Sequence, residues 1–599
     1  MKTNKSIFNS TALSGAAIVF GCLTGINPSA QAVDQVWIGG GVDNYVTTPS
    51  NWVGGAPVVD NWAPFVFGGD VLNGTMELNR WVAISSITLN SGCTIPISIN
   101  WDSIIMGGSL VDMSAATVDL TINSQLNQGW GDMTFNVGAG RTLTVNGGVG
   151  EAHWFTYSNT NGATDYLQTG LTKNGEGTAV VNGASTYTLD TTINAGTLEF
   201  GGAGTLNGGS YSGQIINHAA FVYSSSVAQT LSGAISGTGT VTKTGSGTLT
   251  LTGANTYTGT TTVNGGTLQY NSAASAGNTS KIIVNNGGSL YIDWWAQGGT
   301  ISAPIELNGD GGGNGALKTY VEGSQFTFTG PVTLQSNSLI QAYAGNSTLY
   351  FNGAIGGTGN LTFLASGAST DHKDFMVLSG VSTFSGDLYI ETYAARSQVT
   401  LSGGDNRLPT HAVVHIGAGQ WNPAVSSALD LNGNNQTLAG LSDSGVSSLA
   451  GARSVVNTST TAVTLTLNTS SNQLFSGTIG GTNLNGMAGN NLSLVKSGIA
   501  TQTLTGANTY IGSTAVSNGT LVVQQKCLSE TANVTIAAGA KLDLGFEGVN
   551  TVQTLTINGK LQVRNKVYSI ANRPQALAGT GRLYATEGSA PEGTVMRFR

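Results

Sequence analysis

Charge is scarce in this chain. Asp, Glu, Lys and Arg make up only 9% of its 599 residues, and the formal balance of -8 is spread over the whole length. No run of Lys and Arg with interleaved aromatics occurs, so a stripe that could track a phosphate backbone is excluded and nucleic acid is not expected as a partner. Cysteine is almost missing: Cys22 lies near the start, and Cys93 and Cys527 lie near opposite ends of the remaining chain. That spacing excludes a disulfide framework. Beyond the first residues no segment reaches the roughly 18 uninterrupted apolar residues that a membrane helix needs, so no transmembrane helix is expected. Low charge does not mean disorder here. Disordered chains combine low hydrophobicity with high net charge, whereas 40% of these residues are apolar.

Glycine is abundant, at 87 residues, and apolar residues alternate with Thr, Ser and Asn in the period of two that marks strands. Thr248-Leu249-Thr250-Leu251 shows it, with Leu expected inward and Thr outward. The pattern also recurs at long range. The stretch 241–270 opens with Val241-Thr242-Lys243 and carries Asn255-Thr256-Tyr257 and Gly266-Thr267-Leu268. Stretches 171–200 and 494–523 repeat the same spacing from Lys173 and Lys496 to Tyr187 and Tyr510. A worn copy covers 374–391, with Phe384 in place of Tyr257 and Ile390 in place of Val263. Such self-similarity points to a solenoid whose units bury their apolar faces only against neighbours. The fold expected is all-β: an elongated, single-stranded, right-handed parallel β-helix. Two strands and two corners are expected per copy, with Leu249, Leu251, Val263 and Leu268 inward and Asn255 and Gly266 at corners. A shorter phrase, Leu231 to Ile235, Phe351 to Ile355 and Phe475 to Ile479, is expected to supply a preceding coil. Gln502 replaces the inward Leu249, so that position is either exposed or finds a buried hydrogen-bond partner.

The chain divides as follows. Residues 1–32 read as a signal peptide, with Lys2 and Lys5, an apolar run from Ala12 to Leu23, and a small-x-small site ending at Ala32. Lipidation of Cys22 is the competing reading. A Trp-rich cap and the first coils take 33–165, the repeat-bearing body 166–525, further coils 526–588 and a polar tail 589–599. Trp37, Trp52 and Trp62 either close the first coil or form an aromatic platform for sugar rings.

Residues that could carry chemistry are few. Asp371-His372-Lys373-Asp374 is the densest polar cluster in the body; a loop protruding from a coil accounts for it, and Asp371 and Asp374 are the first carboxylates to suspect if the solenoid cleaves polysaccharide. His411 and His415 flank Ala412-Val413-Val414; on a strand they stand roughly 13 Å apart, too far to share a metal. The glycine-rich 308–315 lacks the aspartate of a calcium turn, since Leu317 stands there, and reads as a flexible loop. Arg564-Asn565-Lys566 has a basic spacing without acidic partners and reads as a solvated edge. No catalytic, cofactor-binding or metal-ligating residues are assigned.

The wording from Lys243 to Leu268, and from Lys496 to Leu521 with Gln502 and Asn518 as departures, resembles the autotransporter-associated β-strand repeat of bacterial surface and secreted passenger proteins. Trp37-Ile38-Gly39-Gly40, Asn51-Trp52, Phe67-Gly68-Gly69 and Leu577 to Gly581 resemble the two ends of such proteins. The resemblance implies a parallel β-helix passenger exported to the cell surface. Repeat content without a converging polar site points to a non-enzymatic, adhesin-like structural element, with surface or matrix polysaccharide or other surface proteins as partners. Self-transporting members end in a membrane β-barrel; nothing after Lys566 is long enough, so a separate secretion route is expected. A polysaccharide lyase or hydrolase on the same fold and a carbohydrate-binding protein using the N-terminal tryptophans are the alternatives.

Overall fold

The computed structural model describes residues 34–590, apart from 56–61, 101–102, 130, 152–155, 159–163, 167, 294–297, 321–322, 324, 344, 368, 418–424 and 445–451. Lys2, Lys5, Cys22 and Ala32 lie outside the described residues, as does most of the tail.

Short strands pair in parallel with the strand one turn before and one turn after, and stack into a β-solenoid of about 20 turns. At a strand spacing of roughly 4.8 Å this makes a rod on the order of 100 Å long. In the repeats the pairing offset is constant. Leu171 pairs with Thr191, Val241 with Thr261 and Leu494 with Thr514. On the next face Thr178 pairs with Thr197, Thr248 with Thr267 and Thr501 with Thr520. A coil there is therefore about 20 residues, while a copy of the repeat is longer. The copy 241–270 holds four strands, Thr240–Lys243 (entered at Val241), Thr248–Leu251, Thr261–Val263 and Gly266–Tyr270. It spans about one and a half coils, which corrects the expected two strands and two corners. The opening lysine and the Gly-Thr-Leu of one copy belong to successive coils.

The core is a set of stacked columns. Leu249 pairs with Leu268, Leu268 with Leu290, Leu290 with Leu317, Leu317 with Ile340, Ile340 with Phe363, Phe363 with Ile390 and Ile390 with Ile416. None of these side chains has exposed surface. Alternation forces this arrangement, because a one-residue slip would turn a whole column outward. At about 2 kcal/mol per fully buried aliphatic side chain, each column contributes far more than any surface contact. Leu251 and Val263 are buried as expected.

At the corners asparagines form ladders. Asn123 donates to Asn100, Asn146 to Asn123 and Asn182 to Asn146, at 2.6, 2.5 and 2.8 Å. Gly266 sits at a corner with φ +62°. Asn255 lies in the connection between Thr248–Leu251 and Thr261–Val263, with its side chain buried. The glycine of the short phrase marks a close approach of successive coils. A Cβ on Gly233 would lie 2.0 Å from the carbonyl oxygen of Gly213.

The two ends depart from the body. The strand Gln35–Trp37 pairs with Phe65–Phe67, and Trp37 meets Trp52 edge to face at 5.2 Å. Both indoles are buried, with Nε1 donating to Asn73 O (3.0 Å) and Val46 O (2.8 Å). Trp37 and Trp52 therefore cap the core and offer no face to a sugar; Trp62 is half-buried. At the far end Lys566–Tyr568 runs antiparallel to Arg582–Ala585, and Lys560–Leu561 folds back on Thr554–Ile557. Antiparallel closure covers part of the last exposed edge. Among the described residues no helix is long and apolar enough to cross a membrane.

Candidate functional site

The polar residues that define the repeat are turned inward. Lys173, Lys243 and Lys496 have no exposed surface. The Lys173 ammonium donates to the carbonyls of Asn174, Gly175 and Ala195 at 2.8, 2.7 and 3.2 Å, and Lys496 donates to Ser497, Gly498 and Asn518 at 2.7, 2.9 and 3.2 Å. Lys243 does the same with Gly245 and Gly265. In every copy one carbonyl belongs to the following coil, so the lysine clips two turns together. Burial pulls each ammonium down to about 8.

The tyrosines are equally enclosed. Tyr187, Tyr257 and Tyr510 share hydrogen bonds with Thr191, Thr261 and Thr514 at 2.9, 2.8 and 2.7 Å. Asn255 accepts from the Ile235 N–H at 2.7 Å and Asn508 from the Ile479 N–H at 2.8 Å. These two isoleucines end the short phrase, which thus supplies the preceding coil and the backbone group that the repeat asparagine caps. Gln502 is buried, its Oε1 accepting from Leu441 N at 3.1 Å and its Nε2 donating to Leu441 O at 3.0 Å. The buried-partner alternative holds.

The four candidate clusters do not converge. Asp371 is exposed, but Asp374 is buried on the strand Lys373–Leu378, which corrects the expectation of a protruding loop. Its Oδ1 accepts from Ser347 N and Oγ at 3.2 and 2.8 Å, and burial raises its carboxyl above the usual range. His411 is exposed in a turn, whereas His415 lies on the strand Val413–Gly417. Residues 308–315 run from the end of a strand into a hydrogen-bonded turn, with Gly315 N donating to Asp310 O at 2.8 Å, and Leu317 is buried. Arg564, Asn565 and Lys566 are exposed. No group of three or more His, Cys, Asp or Glu able to hold a metal occurs among the described residues.

A convergent cluster forms around His415, from residues that no local motif groups together. Tyr389 pairs with His415, and His415 with Ser442, on three successive coils. The Tyr389 and His415 rings stack at 4.3 Å and 6°. His415 Nε2 lies 3.3 Å from Asp387 Oδ2. Ser444 donates to Glu391, whose carboxyl is raised by burial, and Asp443 accepts from Ser476 N at 3.0 Å. Each carboxylate is thus engaged by a neighbour within the rod. The members come from three coils about 26 residues apart, so no local spacing announces the cluster.

A profile of the passenger-associated-transport-repeat matches residues 171–200, 241–269 and 494–523. The chain is also similar to the adhesin BmaC autotransporter of Brucella suis biovar 1 (strain 1330), at 28% identity over 467 residues, covering 72% of this chain. The aligned part is 11% of that protein, so the chain spans only a small fraction of the relative it matches. No solved structure matches. The buried lysine, the tyrosine–threonine pair and the Gly-Thr-Leu strand are structural parts of one recurring element, and the chain is a β-solenoid that carries three passenger-associated transport repeats.

Proposed function

We propose that this chain is an exported, non-enzymatic, adhesin-like element of the cell surface or its surroundings. The observation that carries the reading is the placement of the repeat. Its distinctive polar residues, Lys243, Asn255 and Tyr257, are spent on joining coils, which leaves the outer faces as long tracts of Thr and Asn suited to extended contact rather than turnover. The named relative is an adhesin, which supports the same direction. Residues 1–32 act as the export signal in this reading, 33–165 as cap and first coils, 166–525 as the repeat-bearing body and 526–588 as closing coils. Surface or matrix polysaccharide and other surface proteins are the partners proposed.

Two measurements test it. Fractionation of the native protein with N-terminal sequencing is expected to place it outside the cell with Val33 first; a lipid-blocked Cys22 overturns the leader assignment. Purified protein is expected to retain glycans or cells without releasing products. Saturable polysaccharide cleavage that disappears in Asp371→Ala or Glu391→Gln, with the melting curve unchanged, overturns the non-enzymatic reading. Asp374→Ala is unsuited to this test, because Asp374 holds Ser347 inside the fold.

A further inference from the structure

Charge is sparse along the rod but not at its ends. From 34 to 79 the sequence holds five Asp or Glu and no Lys or Arg, and from 560 to 582 it holds five Lys or Arg and no Asp or Glu. The first stretch forms the opening coils. Its strand Gln35–Trp37 pairs on one side with Phe65–Phe67, and the segment 44–53 lies across the outer side, where Val53 N donates to Val36 O at 2.9 Å and Val46 N to Glu77 O at 3.0 Å. The second stretch forms the outermost layer at the other end, because Lys560–Leu561 and Lys566–Tyr568 are the last strands of their sheets.

Neither set of charges is used within the molecule. Asp34, Asp70, Lys560, Arg564, Lys566 and Arg582 are all exposed, and none forms an ion pair among the described residues. Apolar surface accompanies them. Val42, Val53 and Leu72 are each at least 60% exposed in the acidic stretch, and Leu561 and Ile570 are about half exposed in the basic one. An end that carries one sign of charge is protected against its own kind, since two copies of it repel. It is not protected against an end of the other sign.

We infer that copies of this chain associate head to tail, the acidic first coils of one rod seating on the basic last layer of the next. Charge selects the orientation, because head-to-head and tail-to-tail encounters oppose like charges. The exposed Val, Leu and Ile side chains supply apolar area to be removed from water. Two different surfaces at opposite ends of a rod make a heterologous contact that does not close between two copies, so it propagates into a filament. The inference stands apart from the adhesive reading, since rods would join end to end whether or not their sides hold a ligand.

Sedimentation velocity of the full chain, with negative-stain images of the same samples, tests it. At about 0.02 M salt and concentrations up to about 100 µM the sedimentation coefficient is expected to rise with concentration. The images are expected to show threads in multiples of the roughly 100 Å rod, at unchanged width. Raising the salt to about 0.5 M screens the exposed charges and is expected to return single rods. Arg564→Glu with Lys566→Glu, and separately Asp34→Lys with Asp70→Lys, are each expected to weaken association at least tenfold with an unchanged melting curve. Mixing these two charge-reversed chains is expected to restore it, since every acidic end then meets a basic one. A chain that stays single at low salt, assemblies that widen instead of lengthen, or association that ignores both reversals or fails to return on mixing overturns the inference. Asp43→Lys is a poorer probe, because Asp43 accepts from Tyr45 N and Thr48 Oγ1 at 3.0 and 2.6 Å within the cap.

Discussion

The lysine that opens each repeat sets two demands against each other. Burial disfavours the charge, yet the carbonyls around Lys173 and Lys496 each call for a donor, and an ammonium has three. Lys243→Met leaves the Gly245 and Gly265 carbonyls unmade and is expected to cost about 2 kcal/mol of unfolding free energy. The pH dependence has a definite sign. The folded value is about 8 against an ordinary 10.5, so between these limits the unfolded chain binds more protons, and this lysine makes stability rise with pH. Below about pH 8 both states are protonated and the burial cost is fully present. Urea midpoints of wild type and Lys243→Met should therefore diverge as pH rises from 8 to 9.5, a window below the titration of buried tyrosines such as Tyr257, whose pKa burial pushes above the ordinary 10. A constant gap contradicts a lysine held in this way.

At the scale of the coil, the tyrosine–threonine pair shows how the element tolerates change. Tyr257 bonds Thr261, whereas the worn copy has Phe384 and Leu388 at the matching positions, both buried. Losing both polar partners together is close to neutral, whereas losing the tyrosine hydroxyl alone leaves Thr261 with only its bond to Thr279 Oγ1 at 3.1 Å. Tyr257→Phe is expected to lower stability by about 1 kcal/mol, and adding Thr261→Val to recover most of that; a double-mutant cycle in urea measures the coupling. Additive losses would mean that the pair is not a unit. The same coil logic explains what could be read beforehand. Leu249, Leu251, Val263 and Leu268 were legible because inward positions alternate within one strand. The lysine was not, because a charged residue inside a solenoid is intelligible only once the carbonyls of the next coil are in place. Asp374 was misread for a related reason: its charged neighbours suggested a loop, while its partner Ser347 lies one coil away. Tyr389, His415 and Glu391 come together only across coils whose lengths are not written in repeated words.

For the whole rod, stacking means that each coil contacts its predecessor and successor, so stability is close to a sum of coil and interface terms. Gly233 tests whether damage stays local. Its added Cβ would stand 2.0 Å from a backbone oxygen of the coil below, and the contact cannot be relieved by turning a side chain. Gly233→Ala must therefore part the coils around 213 and 233, at an expected cost of about 3 kcal/mol. In a globular protein with one central core, such a loss speeds hydrogen exchange throughout the cooperative unit. Here the column from Leu249 to Ile416 and the separate clips at Lys173, Lys243 and Lys496 hold each stretch through its own neighbours. Hydrogen exchange in Gly233→Ala is expected to rise over roughly 200–260, whereas strands such as Thr514–Val516 and Asn533–Ile536 keep their wild-type protection. Uniform acceleration from end to end would show that the rod melts as a single unit, and that the lysine clips do not divide its stability.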